Sequence, residues 1–153
     1  MNSNIFFLPF IGRYYANGGL FGKRIMILGD SHYCDGGCYD CGNCGNCRIC
    51  RQCAKFTQNV LRDFLDERKE RQNWMRTFVK FERSLVGEKT DWALRRKIWD
   101  SVMFYNYLQV AMTGPRKAGT STQYKQAANA FFDVIDENEP ECIIVWGKRL
   151  WNN

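Results

Sequence analysis

The sequence predicts an α/β fold: a three-layer α/β/α domain spanning residues 1–153, with a small, mainly parallel sheet. Runs near residues 24–28, 102–106 and 142–146 carry consecutive apolar side chains, which is typical of strands buried on both faces. Segments with helical spacing separate these runs, and that order implies parallel strands joined by right-handed crossovers. No shift in composition marks a boundary, so we predict a single domain.

Polar residues follow the first of these strands. Ile25-Met26-Ile27-Leu28 ends at Gly29, and Asp30-Ser31-His32-Tyr33 comes next. Ligands of open α/β sheets bind beyond the carboxyl ends of the strands, so chemistry is expected from Gly29 onward. The other two strands end at Asn106 and at Trp146-Gly147. Cys142, in the third strand, is expected to fill core space.

The helices between the strands are predicted from hydrophobic spacing and from capping residues. Thr57 is expected to cap the first helix, Asp91 or Thr90 a later one, and Ser121 or Thr120 the last. The faces expected to be buried are Val60, Leu61, Phe64 and Leu65; Trp74, Phe78, Phe81 and Leu85; and Tyr124, Ala127, Ala128, Phe131 and Ile135.

Composition narrows the function class. The chain has 45% hydrophobic residues, which indicates a globular protein, and 22 Lys and Arg against 16 Asp and Glu give a net charge of +6. A basic excess favours an anionic partner such as nucleic acid. No apolar run has the length of a membrane span, and the N-terminal residues lack the pattern of a secretory signal, so we expect no membrane partner and a cytoplasmic location.

A cysteine-rich insert, residues 34–53, follows the first strand. Seven of the eight cysteines fall in these twenty residues, and after one three-residue gap they repeat as C-x-x-C. Four thiolates satisfy a tetrahedral Zn²⁺, so zinc is the predicted cofactor. An iron–sulfur cluster is the alternative, although the C-x-x-x-C-P ending of ferredoxin-type runs is missing, and a reduced, metal-free loop is the other. The predicted ligands are Cys38, Cys41, Cys44, Cys47, Cys50 and Cys53.

Three strand ends together resemble the uracil-DNA glycosylase superfamily. They are Gly29-Asp30-Ser31-His32-Tyr33, Phe104-Tyr105-Asn106, and the segment from Pro140 to Lys148 with its Trp146-Gly147 pair. In that superfamily a Gly-x-x-x-Tyr-like loop follows the first strand, an Asn ends the second, and a Trp-Gly pair ends the third. The resemblance covers most of the chain from Lys23 onward and rests on short motifs.

The resemblance implies that a flipped base is held among these strand ends. Asn106 would read the base edge through its amide, which offers a donor and an acceptor. Tyr33, in the loop that begins at Gly29, would form the pocket wall at the point where a thymine methyl group would clash. Trp146-Gly147 and Lys148 would shape the far side or meet backbone phosphate.

Catalytic roles are implied for Asp30, Ser31 and His32. The best-known branch carries a water-activating Asp where Ser31 stands here, and Asp30 lies one residue earlier. His32 would donate to the leaving base if its loop turns it inward. The His-Pro-Ser-like loop of the family has no counterpart up to Asn153, so the chain is expected to be shortened relative to the family, with cleavage absent or slow.

Two other functions remain open. Gly29-Asp30-Ser31 is also similar to the GDS-type esterases, which need a base in reach of the nucleophilic serine, and the only histidine is the adjacent His32. A non-catalytic, zinc-stabilised nucleic-acid-binding or protein-interaction module fits the charge and the cysteines. The first expectation is a glycosylase-like protein that binds nucleic acid, DNA in the first place, and recognises a flipped base.

Overall fold

The computed structural model describes residues 4–34 and 51–152. Within these residues the chain forms four strands: β1 (Phe10–Ile11), β2 (Ile25–Gly29), β3 (Val102–Asn106) and β4 (Cys142–Val145). Four α-helices accompany them: α1 (Phe56–Phe64), α2 (Met75–Val86), α3 (Trp92–Asp100) and α4 (Ser121–Asn138). Short 3₁₀ helices lie at Tyr15–Asn17, Gly19–Phe21, Arg51–Lys55 and Lys148–Asn152. Among these described residues, no helix has the length and apolarity needed to cross a bilayer.

The four strands form one sheet in the order β1-β3-β2-β4. Strand β2 pairs in parallel with β3 and with β4, and β1 runs antiparallel to β3. The mixed α/β class and the three predicted parallel strands are confirmed. Strand β1 was not predicted, because two residues cannot show a period. Gly29 pairs with Asn106 and Leu28 with Val145, so the three parallel strands end at one edge.

Alternate residues of the strands contribute to two separate core clusters. Successive side chains of a strand point to opposite faces, so the fully buried strands β2 and β3 supply both clusters. The first cluster contains Ile25, Ile27, Val102 and Phe104 with residues of α1, α2 and α3, among them Leu61, Phe64, Met75, Ile98 and Trp99. The second contains Met26, Leu28, Met103 and Tyr105 with Val134 of α4 and with Tyr15.

At two helix starts one of the two predicted alternatives is confirmed as the cap, and at the third the predicted cap is wrong. The Asp91 side chain accepts from the Leu94 N–H at 2.8 Å, and Thr120 forms a capping box with Gln123. Thr57 lies inside α1, which begins one residue earlier as a direct continuation of a 3₁₀ helix. Its buried hydroxyl bonds His32 instead, because the helix brings it against the segment after β2.

Cys142 is exposed, so its predicted role in the core is wrong. Strand β4 is the outer strand next to β2, and Cys142 is its first residue. An outer strand has packed neighbours on one edge only, which leaves its end open to solvent.

A buried ion pair joins α2 to α3. Arg95 donates through Nη2 to Oε1 of Glu82 at 2.7 Å, and both side chains are at most 3% exposed. The Trp99 indole N–H donates to the other carboxylate oxygen at 3.0 Å, and the Thr90 hydroxyl also bonds Glu82. Glu82 therefore has its oxygens satisfied, as a buried charge requires.

Candidate functional site

The segments that follow β2 and β3 remain side by side beyond the sheet. The Tyr107 N–H donates to the Gly29 carbonyl at 2.9 Å, and the Leu108 N–H donates to that of Asp30 at 3.0 Å. Farther on, Tyr33 forms a parallel bridge with Met112. The structure therefore brings Asn106 and the predicted loop Gly29–Tyr33 into direct contact.

Asn106 and His32 form a buried polar pair. Nδ2 of Asn106 lies 3.1 Å from Nδ1 of His32, and the Thr57 hydroxyl lies 2.8 Å from Nε2 of the same ring. Phe56 stacks on the imidazole at 4.4 Å and Phe7 meets it edge-on at 5.0 Å. Complete burial lowers the pKa of His32 to about 3, since desolvation disfavours the charged ring. His32 is therefore neutral at physiological pH.

Gly29 allows this pair to lie close to the strand end. A Cβ at residue 29 would stand 2.1 Å from Oδ1 of Asn106, far inside van der Waals contact. Only a residue without a side chain fits beside this amide.

Asp30 contacts a different helix from His32. Its Oδ1 accepts from the Tyr124 hydroxyl of α4 at 2.7 Å, and its Oδ2 accepts from Nη1 of Arg149 at 2.9 Å. The Ser31 hydroxyl lies 3.4 Å from the same Oδ2 and donates to it. Burial, with the adjacent Asp30, raises the pKa of Tyr124 to about 12, so its hydroxyl stays protonated as a donor.

Arg149 connects the last 3₁₀ helix to the loop before α4. Its guanidinium donates to the carbonyls of Lys117 and Arg116 at 2.9 and 3.0 Å while it binds Asp30. The side chains of Arg116, Lys117 and Lys148 are exposed. Arg149 thus connects the segment that carries Arg116 and Lys117 with the segment that carries Lys148. We call these three exposed basic residues the basic edge.

A small depression lies at the carboxyl ends of β2 and β4. Its volume is about 190 Å³, and it is lined by Leu28, Tyr107, Tyr124, Phe131, Val145, Leu150 and Trp151. In the sheet, β3 lies on one side of β2 and β4 lies on the other. The connection from β2 therefore runs in one direction and the connection to β4 in the opposite direction, and the strand order reverses between β2 and β4. Ligands of open α/β sheets bind at such points. We call this depression the switch-point pocket.

The structure places the other predicted residues as follows. Trp146 continues the pairing of β4 through its N–H to the Leu28 carbonyl at 2.7 Å. Its ring packs on Phe81 of α2 at 4.5 Å, so it belongs to the core cluster of α1–α3. Gly147 has φ 132°, a conformation that favours glycine. The Tyr33 side chain is 42% exposed.

Five of the predicted site residues therefore fall into two groups. Asn106 contacts Gly29 and His32, and His32 contacts Thr57 of α1, whereas Asp30 with Ser31 meets Tyr124 of α4. Sequence reasoning assigned Tyr124 and Phe131 only to a core face and gave Tyr107 and Trp151 no role in a site. Nothing in their spacing marks these four as pocket residues.

Gln109 is a further buried residue that the sequence did not indicate. Its Oε1 accepts from the backbone N–H groups of Phe6 and Phe7 at 2.8 and 3.0 Å. Its Nε2 donates to the Tyr105 hydroxyl at 2.6 Å. Gln109 thereby fixes the N-terminal segment, and with it Phe7, against the His32 ring.

Most of the predicted metal ligands lie outside the described residues. These are Cys38, Cys41, Cys44, Cys47 and Cys50. Cys53 is described and is buried in one cluster with Cys34, Phe7 and Ala111. Within residues 4–34 and 51–152, no three His, Cys, Asp or Glu side chains converge in a way that could hold a metal ion. The zinc site stays a prediction.

Comparison of the chain with models of protein families, with curated proteins and with solved structures gave no match. The resemblance to the uracil-DNA glycosylase superfamily therefore rests on the strand-end motifs alone and stays a prediction.

Proposed function

We propose that this protein binds nucleic acid, DNA in the first place, and takes an extruded base at the carboxyl ends of its parallel strands. The observation that carries the proposal is the position of the basic edge beside the switch-point pocket, with Arg149 in contact with both the edge and Asp30. A polyanion needs cationic contacts, and a base needs an aromatic cavity next to them.

The proposal includes the three-layer arrangement of glycosylase-like domains. Its support is the division of the core: one cluster joins the sheet to α1, α2 and α3, and another joins it to Val134 of α4. Helices on both faces of a parallel sheet leave the strand ends as the accessible edge for a ligand.

We propose binding without efficient glycosidic cleavage. The Asp30 carboxylate is held by Tyr124 and Arg149 and also accepts from Ser31, so three of its roughly four acceptor sites are occupied and little of it is left to orient a water. The His32 ring lies between aromatic rings with its nitrogens toward Thr57 and Asn106, and a departing base anion needs a donor aimed at it.

The same geometry does not support a GDS-type esterase. The Ser31 hydroxyl donates to Asp30, whereas both ring nitrogens of His32 contact other side chains. A serine nucleophile needs its base within hydrogen-bond reach.

Binding should be measured by fluorescence anisotropy on uracil-containing and normal DNA, single- and double-stranded, across a salt series. Lys117→Ala and Lys148→Ala should each weaken binding on every sequence and lower the salt slope by about 1. Lys89→Ala, at the exposed turn between α2 and α3, is the matched control and should bind like the wild type. Salt-independent binding, or equal effects of all three variants, would refute the proposal.

Uracil release should be assayed on the same DNA. We expect little or no free base. Robust release that disappears in both Asp30→Ala and Asn106→Ala would show that the protein is an active glycosylase, in contradiction to the proposed lack of cleavage.

We propose further that the cysteine-rich insert binds zinc and stabilises the domain. The support is that Cys34 and Cys53, the two ends of the insert, are buried in one cluster with Phe7 and Ala111. Metal binding in such a segment contributes to folding free energy. Elemental analysis of reduced protein should find at least one zinc per chain, and an absorption spectrum distinguishes an iron–sulfur cluster. A colourless protein with less than half an equivalent of zinc contradicts this proposal.

A further inference from the structure

We infer that the switch-point pocket binds one unpaired base of single-stranded nucleic acid by stacking, with Trp151 as the outer stacking surface. This inference rests on the proposed function and names its ligand class. It concerns Trp151, which at 78% is the most exposed large hydrophobic side chain among the residues that the structure describes.

The size and lining of the pocket select a single flat ring system. A volume of about 190 Å³ is below the several hundred Å³ typical of sites for drug-sized ligands. Tyr107 and Tyr124 line it with stacked rings inclined at 26° whose centroids are 6.2 Å apart, and Leu28 and Val145 add apolar lining. The Tyr124 hydroxyl donates its proton to Asp30 and so cannot donate it to a base edge. The aromatic lining therefore favours stacking on the face of a base over hydrogen bonds to its edge.

The geometry of the last 3₁₀ helix places a phosphate contact beside the stacking surface. A 3₁₀ helix has three residues per turn, so residues i and i+3 share one face. Lys148 and Trp151 of Lys148–Asn152 are so related. When a base stacks on the Trp151 ring, the phosphate of that nucleotide therefore lies close to the positive charge of Lys148. Arg116 and Lys117 provide further positive charge for the neighbouring phosphates of the nucleic acid.

An unpaired strand fits this arrangement better than a duplex. Proteins that bind single strands combine a cationic track with exposed aromatic rings, and every base offers a face for stacking. In a duplex the base faces are covered by neighbours, so Trp151 would reach one only after extrusion.

The test uses anisotropy with labelled dT and rU 12-mers and a blunt DNA duplex of equal length. Trp151→Ala should weaken single-strand binding about 10-fold and duplex binding much less. Trp151→Phe should retain most of the affinity. Tyr14→Ala is the matched control, because Tyr14 is an aromatic residue 50% exposed that lines a different depression, and it should bind like the wild type.

Tryptophan fluorescence gives a second readout. Single-strand binding should quench the wild type, and most of that quenching should be missing in Trp151→Phe. Binding of either strand supports the inference, and the tighter one identifies the preferred strand. Unfolding by urea should match the wild type in all three variants, since both side chains are exposed.

The inference is overturned if Trp151→Ala binds single strands as tightly as the wild type, or weakens single strands and duplex equally. If either result occurs while Lys148→Ala still weakens binding, the stacking inference fails and nucleic-acid binding stands. If the wild type binds no nucleic acid, both fail.

Discussion

The side-chain amide of Asn106 lies 3.1 Å from Nδ1 of His32. This buried polar contact joins the last residue of β3 to the loop that follows the neighbouring strand β2. The Thr57 hydroxyl completes the contact from α1. Because the imidazole is neutral and enclosed by Phe56 and Phe7, the pair holds the loop after β2 in place without placing a charge in the core.

Gly29→Ala should destabilise the protein through a clash with Asn106. The new Cβ would stand 2.1 Å from Oδ1, and forced repacking in a core costs about 1–3 kcal/mol. Asn106→Ala removes the clashing atom, so the double variant should lose at least 1 kcal/mol less than the sum of the single losses. Urea unfolding measures all three. Gly114→Ala is the control, since the nearest atom there is 3.8 Å away. Strict additivity would contradict the contact.

The buried His32 should make stability depend on pH in the mildly acidic range. The pKa of His32 is about 3 in the folded protein, below the ordinary value of 6.5. Between these two pH values the unfolded chain binds a proton at His32 and the folded chain does not. The contribution of neutral His32 to the free energy of unfolding is complete above pH 6.5. It is lost as the pH falls toward 3, at about 1.4 kcal/mol per pH unit. His32 is the only histidine, so it should dominate the slope between pH 5 and 6.5. His32→Gln should flatten that slope, and equal slopes for both proteins would refute the assignment.

Breaking the Glu82–Arg95 pair should be among the most damaging changes in the fold. Arg95→Met leaves the Glu82 carboxylate buried without its cation, at a cost of about 3–5 kcal/mol. The double variant Glu82→Leu with Arg95→Met should be more stable than Arg95→Met alone, because no charge stays buried. Urea midpoints give the comparison. Arg68→Ala breaks the exposed pair with Asp66 and should leave the midpoint unchanged.

Arg149 should control the position of the loop before α4. Arg149→Ala removes two donors to the carbonyls of Arg116 and Lys117 and the cation beside Asp30, so we expect a loss of about 1 kcal/mol and faster amide exchange at residues 113–120. Arg149→Lys should recover only part of the lost stability and of the protection from exchange, because an ammonium group cannot reproduce the planar set of donors of a guanidinium. Exchange is followed by mass spectrometry. Arg83→Ala, on the exposed face of α2, is the control, and unchanged exchange in Arg149→Ala would contradict the bridging role.

Local features of the sequence determined the three parallel strands and two helix starts. Four consecutive apolar residues in β2 predicted a strand buried on both faces, and all of them are buried. Asp91 and Thr120 were correct as caps because a cap depends on the three residues that follow it. The prediction that one strand ends at Gly29 and another at Asn106 follows from the same local patterns, whereas their pairing as neighbours came from the structure.

Only the tertiary structure decided which side chains meet. Asp30 binds Tyr124, 94 residues away, and Arg149, 119 residues away, and no period or spacing encodes such pairs. Thr57 looked like a cap because hydroxyl residues favour helix starts, but packing against His32 gave its hydroxyl another partner. Hydrophobic period and capping act over a few residues, whereas a pocket forms where separate elements pack. The pairing of Asp30 with α4 and of His32 with α1 therefore appeared only in three dimensions.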